Sequence, residues 1–373
     1  MKLHFKLPVI VVWLYSVGIF GQTESIISKS FETDAKTTAL IKLNGEYVQI
    51  LSSPDNKLYV EYTIDFENYP ERKKTRIRDK IDMDIKKVDN HISIISKSFS
   101  PWWELAYEHL FKKDSSFKIS SKRKTKSDIV KEIEAFYTRK NPYVETIELF
   151  FHNDIEKKNS LIEKENRKKT RTFYETLTIK IPPSMDITIG AKDSKIIIKD
   201  AIENKLSIRL DGGRIIARSL KNKHNFIKVR NALVGIQSLN GGKLFLNSVK
   251  KGLIASVEDT ELTAEFSNIE IGHIGKNNTF TDFSNTTVIY NFSDDFETFK
   301  LKSEYSKLHC FKPNDNFGLK VSGYNTIVNE NGKKVNKNLN GKNDLFNINK
   351  KEDQPFSGQM DWNIVHGFVF LYQ

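Results

Sequence analysis

The chain has 373 residues, a formal net charge of +12 and 38% hydrophobic residues, enough to form a core but thinly spread. A single cysteine, Cys310, excludes an intramolecular disulfide, a four-cysteine zinc site and a C-x-x-C redox pair. The lysines are scattered along the whole chain, mostly at alternate strand positions and in loops, which marks solvated faces and not a nucleic-acid footprint.

Residues 1–21 read as a secretory signal peptide. Lys2 and Lys6 supply a positive start, Leu7 to Phe20 an apolar run, and Gly21 a small residue for cleavage ahead of Gln22. The apolar run is short for a membrane span, and no cysteine follows it to carry a lipid. The expected compartment is outside the inner membrane: periplasmic, outer-membrane-associated or cell surface.

Residues 22–99 read as N-terminal β coils. Leu58 to Ile64 has strand content, and Ile81-Asp82-Met83-Asp84-Ile85 alternates apolar and acidic. The heptapeptide Ser-Ile-Ile-Ser-Lys-Ser-Phe occurs at Ser25–Phe31 and again at Ser93–Phe99, as equivalent strands of neighbouring units would. From 100 to 172 the period changes to that of a helical, basic insertion. Ser100-Pro101-Trp102 is a helix start, and Trp103, Tyr107 and Leu110 fall on one face. Ile129, Ile133 and Phe136 predict a second helix, Tyr143–Phe151 reads as strand-like, and Asn153 to Arg171 is almost wholly polar.

Residues 173–311 carry the strongest pattern. Short β runs such as Val234 to Gln237, Leu244 to Leu246, Leu253 to Ala255 and Leu262 to Phe266 recur about every nine to eleven residues. Turn signals at Asp211-Gly212-Gly213, Gly241-Gly242 and Lys251-Gly252 separate them. So many short strands with isoleucine, leucine, valine and phenylalanine on one side predict an all-β, single-chain β-solenoid, with a pair of β-sandwiches as the alternative. Residues 312–373 read as an Asn/Lys-rich extension, ending in an apolar segment, Trp362 to Tyr372, that could cap the open end of the stack.

The stretch Ile179-Lys180-Ile181-Pro182-Pro183-Ser184-Met185-Asp186-Ile187-Thr188-Ile189 resembles the I-x-I-P-x-x-x-x-I-x-I opening of the bacterial putative-adhesin domain. Ser238-Leu239-Asn240-Gly241-Gly242-Lys243-Leu244 and Asn268-Ile269-Glu270-Ile271-Gly272 resemble its coil steps. The likeness covers roughly 38–98 and 173–311. It implies an exported β-solenoid and supplies no catalytic residues, and the basic insertion departs from its pattern.

Catalytic candidates are sparse. Asp82 and Asp84 share a strand face that could hold calcium, and Glu261 and Glu265, with Asp259 nearby, form a second acidic group. A solvated strand face explains both. The histidines show no His-x-His or His-Glu-x-x-His spacing, and there is no Gly-x-Ser-x-Gly elbow or phosphate loop. Trp102, Trp103 and Tyr107 are the candidate ligand contacts, as an aromatic platform for a sugar ring. The expectation is a non-enzymatic, adhesin-like envelope protein without cofactors, binding a surface polymer or another envelope protein. No nucleic-acid partner and at most peripheral membrane contact are expected. Two alternatives stay open: a β-helix polysaccharide lyase or glycosidase, and a membrane-proximal structural or signalling partner contacting through 100–172.

Overall fold

The computed structural model describes residues 23–67, 69–100, 141, 143–151, 172–183, 185–311, 317–330, 333–339 and 358–372. Trp102, Trp103, Tyr107 and the two helices expected between 100 and 136 lie outside them, as do the signal peptide and the polar run after 152.

The strands, in chain order, begin with β1 (Thr23–Glu32), β2 (Thr38–Asn44), β3 (Tyr47–Ser52), β4 (Lys57–Glu67), β5 (Met83–Val88) and β6 (His91–Ser96). Next come β7 (Thr172–Ile181), β8 (Asp186–Ile202), β9 (Leu206–Lys221), β10 (Phe226–Arg230), β11 (Leu233–Asn240), β12 (Lys243–Asn247), β13 (Lys251–Glu258) and β14 (Glu261–Glu265). The series closes with β15 (Asn268–Ser284), β16 (Thr287–Glu304), β17 (Lys307–Phe311), β18 (Phe317–Tyr324), β19 (Thr326–Glu330), β20 (Lys333–Leu339), β21 (Gly358–Val365) and β22 (Phe368–Tyr372). Helix α1 spans Glu71–Arg78, inside the segment read as β coils, and helix α2 spans 143–151.

Pairing decides the architecture. Thr188 sits beside Ser207 and Ser207 beside Phe226, all in parallel. In the ordered part of the stack, from β8 to β17, each strand segment therefore pairs with the one 17 to 21 residues further on, in the next coil. Sandwiches are built from antiparallel neighbours, so this pattern excludes them and makes a β-solenoid. Each coil contributes to two ladders, here faces A and B, the second interrupted once, between Ile198 and Ala201 in β8 and at Gln237 in β11. Face A runs β6, β2, the first half of β8 and of β9, β10, β12, β14, the second half of β15 and of β16, β21, β18. Face B runs β7, β3, the second half of β8 and of β9, β11, β13, the first half of β15 and of β16, β17, β22, β19. β8, β9, β15 and β16 are 16 to 18 residues long because they carry through the corner between the faces.

The inward side chains stack in register. On face A the column Ile94, Ile41, Ile189, Ile208, Ile227, Leu244, Leu262, Phe280, Leu301, Trp362, Val321 has no member more than 2% exposed. Burying each such side chain stabilises by about 1.5–3 kcal/mol. Cys310 lies inward on face B at 1% exposure beside Leu371, as its alternation with Leu308 suggests.

One corner repeats up the whole stack. Gly45, Asp193, Gly212, Asn231, Ser248, Phe266, Asn285, Tyr305, His366 and Asn325 all have φ between 48° and 82°, where face A turns into face B. Their backbone N–H groups bond to the next coil, Ser248 to the Glu265 carbonyl and Asn285 to that of Glu304. The residue that follows points inward: Ser194, Ser267, Thr286 and Ser306 are each buried there. Gly213 fills the place beside Ser194, where a Cβ would run into the Ser194 carbonyl.

Both ends are out of sequence order. β2–β3, the first coil of the chain, lies between β6–β7 and β8. At the other end β21–β22 lies between β16–β17 and β18–β19. Trp362 to Tyr372 thus fill an interior position and do not cap the open end. Antiparallel strands finish the stack: β5 on β6, β4 on β7 with β1 beyond it, and β20 on β19. The repeated heptapeptide occupies unlike places. β1 is an antiparallel end strand with Ile26 and Ile27 half-buried, whereas β6 is parallel to β2 and buries Ile92 and Ile94. Lys74 and Arg78 of α1 grip Glu24 of β1.

Residues 143–151 are helical, not a strand. Tyr143, Ile147 and Phe150/Phe151 recur at helical spacing and meet an apolar outer surface on face B formed by Ile197, Ile216, Leu253 and Ala255. Gly235 permits the approach, since a Cβ there would stand 3.3 Å from the Phe150 ring. Glu148 pairs with Arg218 at 2.6 Å and accepts from Gln237 at 2.6 Å.

Candidate functional site

Helix α2 covers part of face B, and the outer surface of face A carries the exposed chemistry. Inward Ile208, Leu210, Ile227, Val229, Leu244 and Leu246 force Ser207, Arg209, Asp211, Phe226, Lys228, Arg230, Lys243, Phe245 and Asn247 outward by strand alternation. The Phe226 and Phe245 rings lie 5.1 Å apart, both half-buried, and the Arg209 guanidinium sits 5.9 Å from the Phe226 centroid. Around this centre the coils are tied by complementary pairs. Asp211 meets Arg230, Lys243 reaches Glu261 at 2.7 Å, Asn247 donates to Glu265 at 2.6 Å, and the Thr263 and Thr281 hydroxyls are 3.4 Å apart. The Arg230 guanidinium holds the Asp211 carboxyl below the usual range. These pairs are exposed, so they order the face more than they stabilise it.

Glu261 and Glu265 therefore share one outer face, as their spacing predicts, but each is engaged across a coil boundary, and Asp259 sits apart at a turn with φ 49°. Asp84 pairs with Lys86 at 3.1 Å, which lowers its carboxyl, and Asp82 with Lys97 at 3.7 Å. Among the described residues no group of three or more His, Cys, Asp and Glu is placed to hold a metal, and no helix is long and apolar enough to cross a membrane.

The sequence gives no hint of a second feature. Glu46, just after the Asn44-Gly45 turn, is 2% exposed, because it takes the inward corner position that Ser194 and Ser267 fill elsewhere. Burial pushes its carboxyl up, although the Asn44 N–H donates to it. Glu175 points inward from β7 and accepts from Tyr62 at 3.0 Å and from Ser100. Burial and the nearby Glu175 charge raise the Tyr62 phenol. Glu46 and Tyr62 line a small cleft with Ser96, Ser98, Phe99 and Ser100, at the point where the 100–172 segment leaves the stack. Such a cleft can hold a proton.

No protein-family model matches the chain. No curated protein matches it. Solved structures do. One described as a putative adhesin from Parabacteroides merdae ATCC 43184 is 9% identical with a TM-score of 0.38, over 94% of this chain and 96% of its own. A second, from Bacteroides fragilis NCTC 9343 and described in the same words, is 9% identical with a TM-score of 0.32, over 95% and 100%. A third, from Parabacteroides distasonis ATCC 8503, is 10% identical with a TM-score of 0.32, over 94% and 97%.

Proposed function

We propose that the chain is an exported, non-enzymatic, adhesin-like scaffold of the bacterial envelope, and that the outer surface of face A engages a surface polymer or another envelope protein. The observation that carries this reading is the asymmetry of the two faces. α2 packs on apolar side chains of face B, whereas face A holds Arg209, Phe226 and Phe245 toward solvent. Flat faces with a few half-exposed rings suit extended partners, whereas small molecules need a concave pocket. Glu261 and Glu265 are each engaged across a coil boundary, by Lys243 and Asn247, and so belong to the ordering of this face.

The test uses the chain from Gln22 to Gln373 with acidic and neutral polysaccharides, with and without calcium, following polymer size and co-elution by gel filtration. Co-elution that weakens in Phe226→Thr/Phe245→Thr is expected. A polymer that shrinks would overturn the non-enzymatic reading, and co-elution indifferent to the double substitution would overturn the assignment to face A.

A further inference from the structure

One outward position of face A carries no side chain. Gly190 lies in the first half of β8 between inward Ile189 and Ala191, so a Cβ there would point to solvent. Its φ is not left-handed, and a Cβ added to it meets nothing within 4 Å. Neither backbone nor packing asks for glycine, and glycine weakens a strand interior. The result is a notch one side chain deep, floored by the β8 backbone.

The border of the notch is basic. Lys42 of β2 is in register with Gly190 on one side, and Arg209 of β9 on the other. Lys228 of β10 follows Arg209, and Phe245 of β12 follows Lys228. Lys192 stands two residues along β8, with its Nζ 5.6 Å from the Phe99 centroid. All four cations are exposed. Neighbouring cations are held by carboxylates: Lys205 by Asp186 at 3.1 Å, Arg230 by Asp211, and Lys243 by Glu261 at 2.7 Å. Lys42, Lys192, Arg209 and Lys228 make no such pair among the described residues, and Lys192 acts on Asp193 and Asp211 only through its charge. Arg209 and Lys228 stand directly opposite each other, where like charges repel. Two local costs, an unneeded glycine and unpaired like charges, thus meet at one place, as they do where a ligand approaches a strand closely.

We propose that this strip binds an acidic polysaccharide running along the stack axis, with one of its carboxylates or sulfates seated over Gly190 between Lys42 and Arg209. These two residues are two coils apart, about 10 Å at the spacing of parallel ladders, so their long side chains can close on one anionic group from both sides. The next anionic group along the polymer meets Lys228, and its sugar rings reach Phe245 and Phe226. The layout of charge selects a linear partner. Asp211 and Glu265 stand in the outward row on one side of the strip, and Glu261 in the row on the other. A flat anionic membrane would press on those carboxylates, whereas a single chain follows the cations alone. The inference rests on the face A reading above and adds the chemical class of the partner.

Binding of the chain from Gln22 to Gln373 to immobilised polygalacturonate and dextran sulfate tests it, with neutral dextran and a single-stranded oligonucleotide as controls. Salt of about 0.15 M screens diffuse attraction. Gly190→Thr fills the notch without changing charge; it adds a β-branched side chain in open space, so the thermal midpoint is expected not to fall. The expected result is binding to one or both acidic polymers and not to dextran, weakened about tenfold or more by Gly190→Thr and, separately, by Arg209→Gln. Weakening by Arg209→Gln with none in Gly190→Thr would mean diffuse attraction to a basic face and would overturn the seat. Equal binding of the oligonucleotide would overturn the polysaccharide. Binding unchanged in both variants but lost in Phe226→Thr/Phe245→Thr, or equal binding to dextran, would overturn the acidic seat and leave face A standing. Binding to no polymer would overturn the inference and leave face A only a protein partner.

Discussion

Replacing Trp362 by alanine should loosen one end of the stack and leave the rest intact. Trp362 is 0% exposed in the face A column, between Leu301 of β16 and Val321 of β18, and meets Phe299 edge-on at 6.5 Å. Removing a buried aromatic of this kind costs about 3–5 kcal/mol, the lost transfer energy plus the cavity left behind. In a repeat stack each coil contacts only its neighbours, so the cost falls on local opening of β16 to β22 and not evenly along the chain. The single cysteine reads it out directly. Cys310 is 1% exposed, paired in register with Leu371 on the same intercalated coil, and reacts with a thiol reagent only when that end opens. If opening precedes reaction and recloses quickly, the destabilisation converts into a rise in labelling rate of about 10²–10⁴-fold. Labelling with a disulfide reagent at several concentrations, alongside hydrogen exchange over 186–265, measures both ends of the claim. A labelling rate within about threefold of the unsubstituted chain, or equal loss of protection in the central coils, would refute the reasoning.

Three further outcomes follow from the same packing. Burial drives the His309 imidazole down to about 3 from its ordinary 6.5, so the unfolded chain binds a proton there that the folded chain refuses. Stability is therefore complete above pH 6.5 and falls on acidification by about 2 kcal/mol between pH 6.5 and 5; urea midpoints across this range should flatten in His309→Phe. The Glu46 carboxyl is raised by burial, which reverses the sign: stability is highest where Glu46 is protonated and falls as pH rises above its unfolded value of 4.5. Glu46→Gln, which can still accept from the Asn44 N–H, should be more stable at pH 7 by chemical denaturation and should lose that decline. Ile147→Asp places a charge where α2 meets Ile197 and Ile216, and amide exchange across 143–151 should rise at least tenfold while the central coils keep their protection.

The β-solenoid is legible in the sequence because its signal is local. Alternation in Leu206 to Leu210 or Leu244 to Leu246 fixes which side chains face inward, and the spacing of Asp211-Gly212-Gly213 and Gly241-Gly242 marks the corners. What escaped is relational. Nothing within Tyr143–Phe151 announces the apolar outer patch of Ile197, Ile216 and Leu253 that selects a helix there. The two copies of the heptapeptide are chemically the same, yet β1 and β6 take antiparallel and parallel partners because their surroundings differ. Only the corner column shows that the position of Glu46, just after the Asn44-Gly45 turn, points inward. The face A candidates were half visible: Glu261 and Glu265 were placed on one side, but their partners Lys243 and Asn247 lie a full coil away. The occupants of the corner are hidden for a different reason, since only φ values reveal that Phe266 and Tyr305 occupy positions suited to asparagine.

The misordered coils at the two ends restrict how such a stack can lengthen or shorten over evolution. Between β9 and β14 the coils follow one another in sequence, and a duplicated or deleted unit of 17 to 19 residues would leave every neighbour with an equivalent partner. At either terminus a duplication meets a clasp instead: β2–β3 is already held between β7 and β8, and β21–β22 between β17 and β19. Length variation among descendants of this chain should therefore be internal, with both clasps preserved and the number of central coils free to drift.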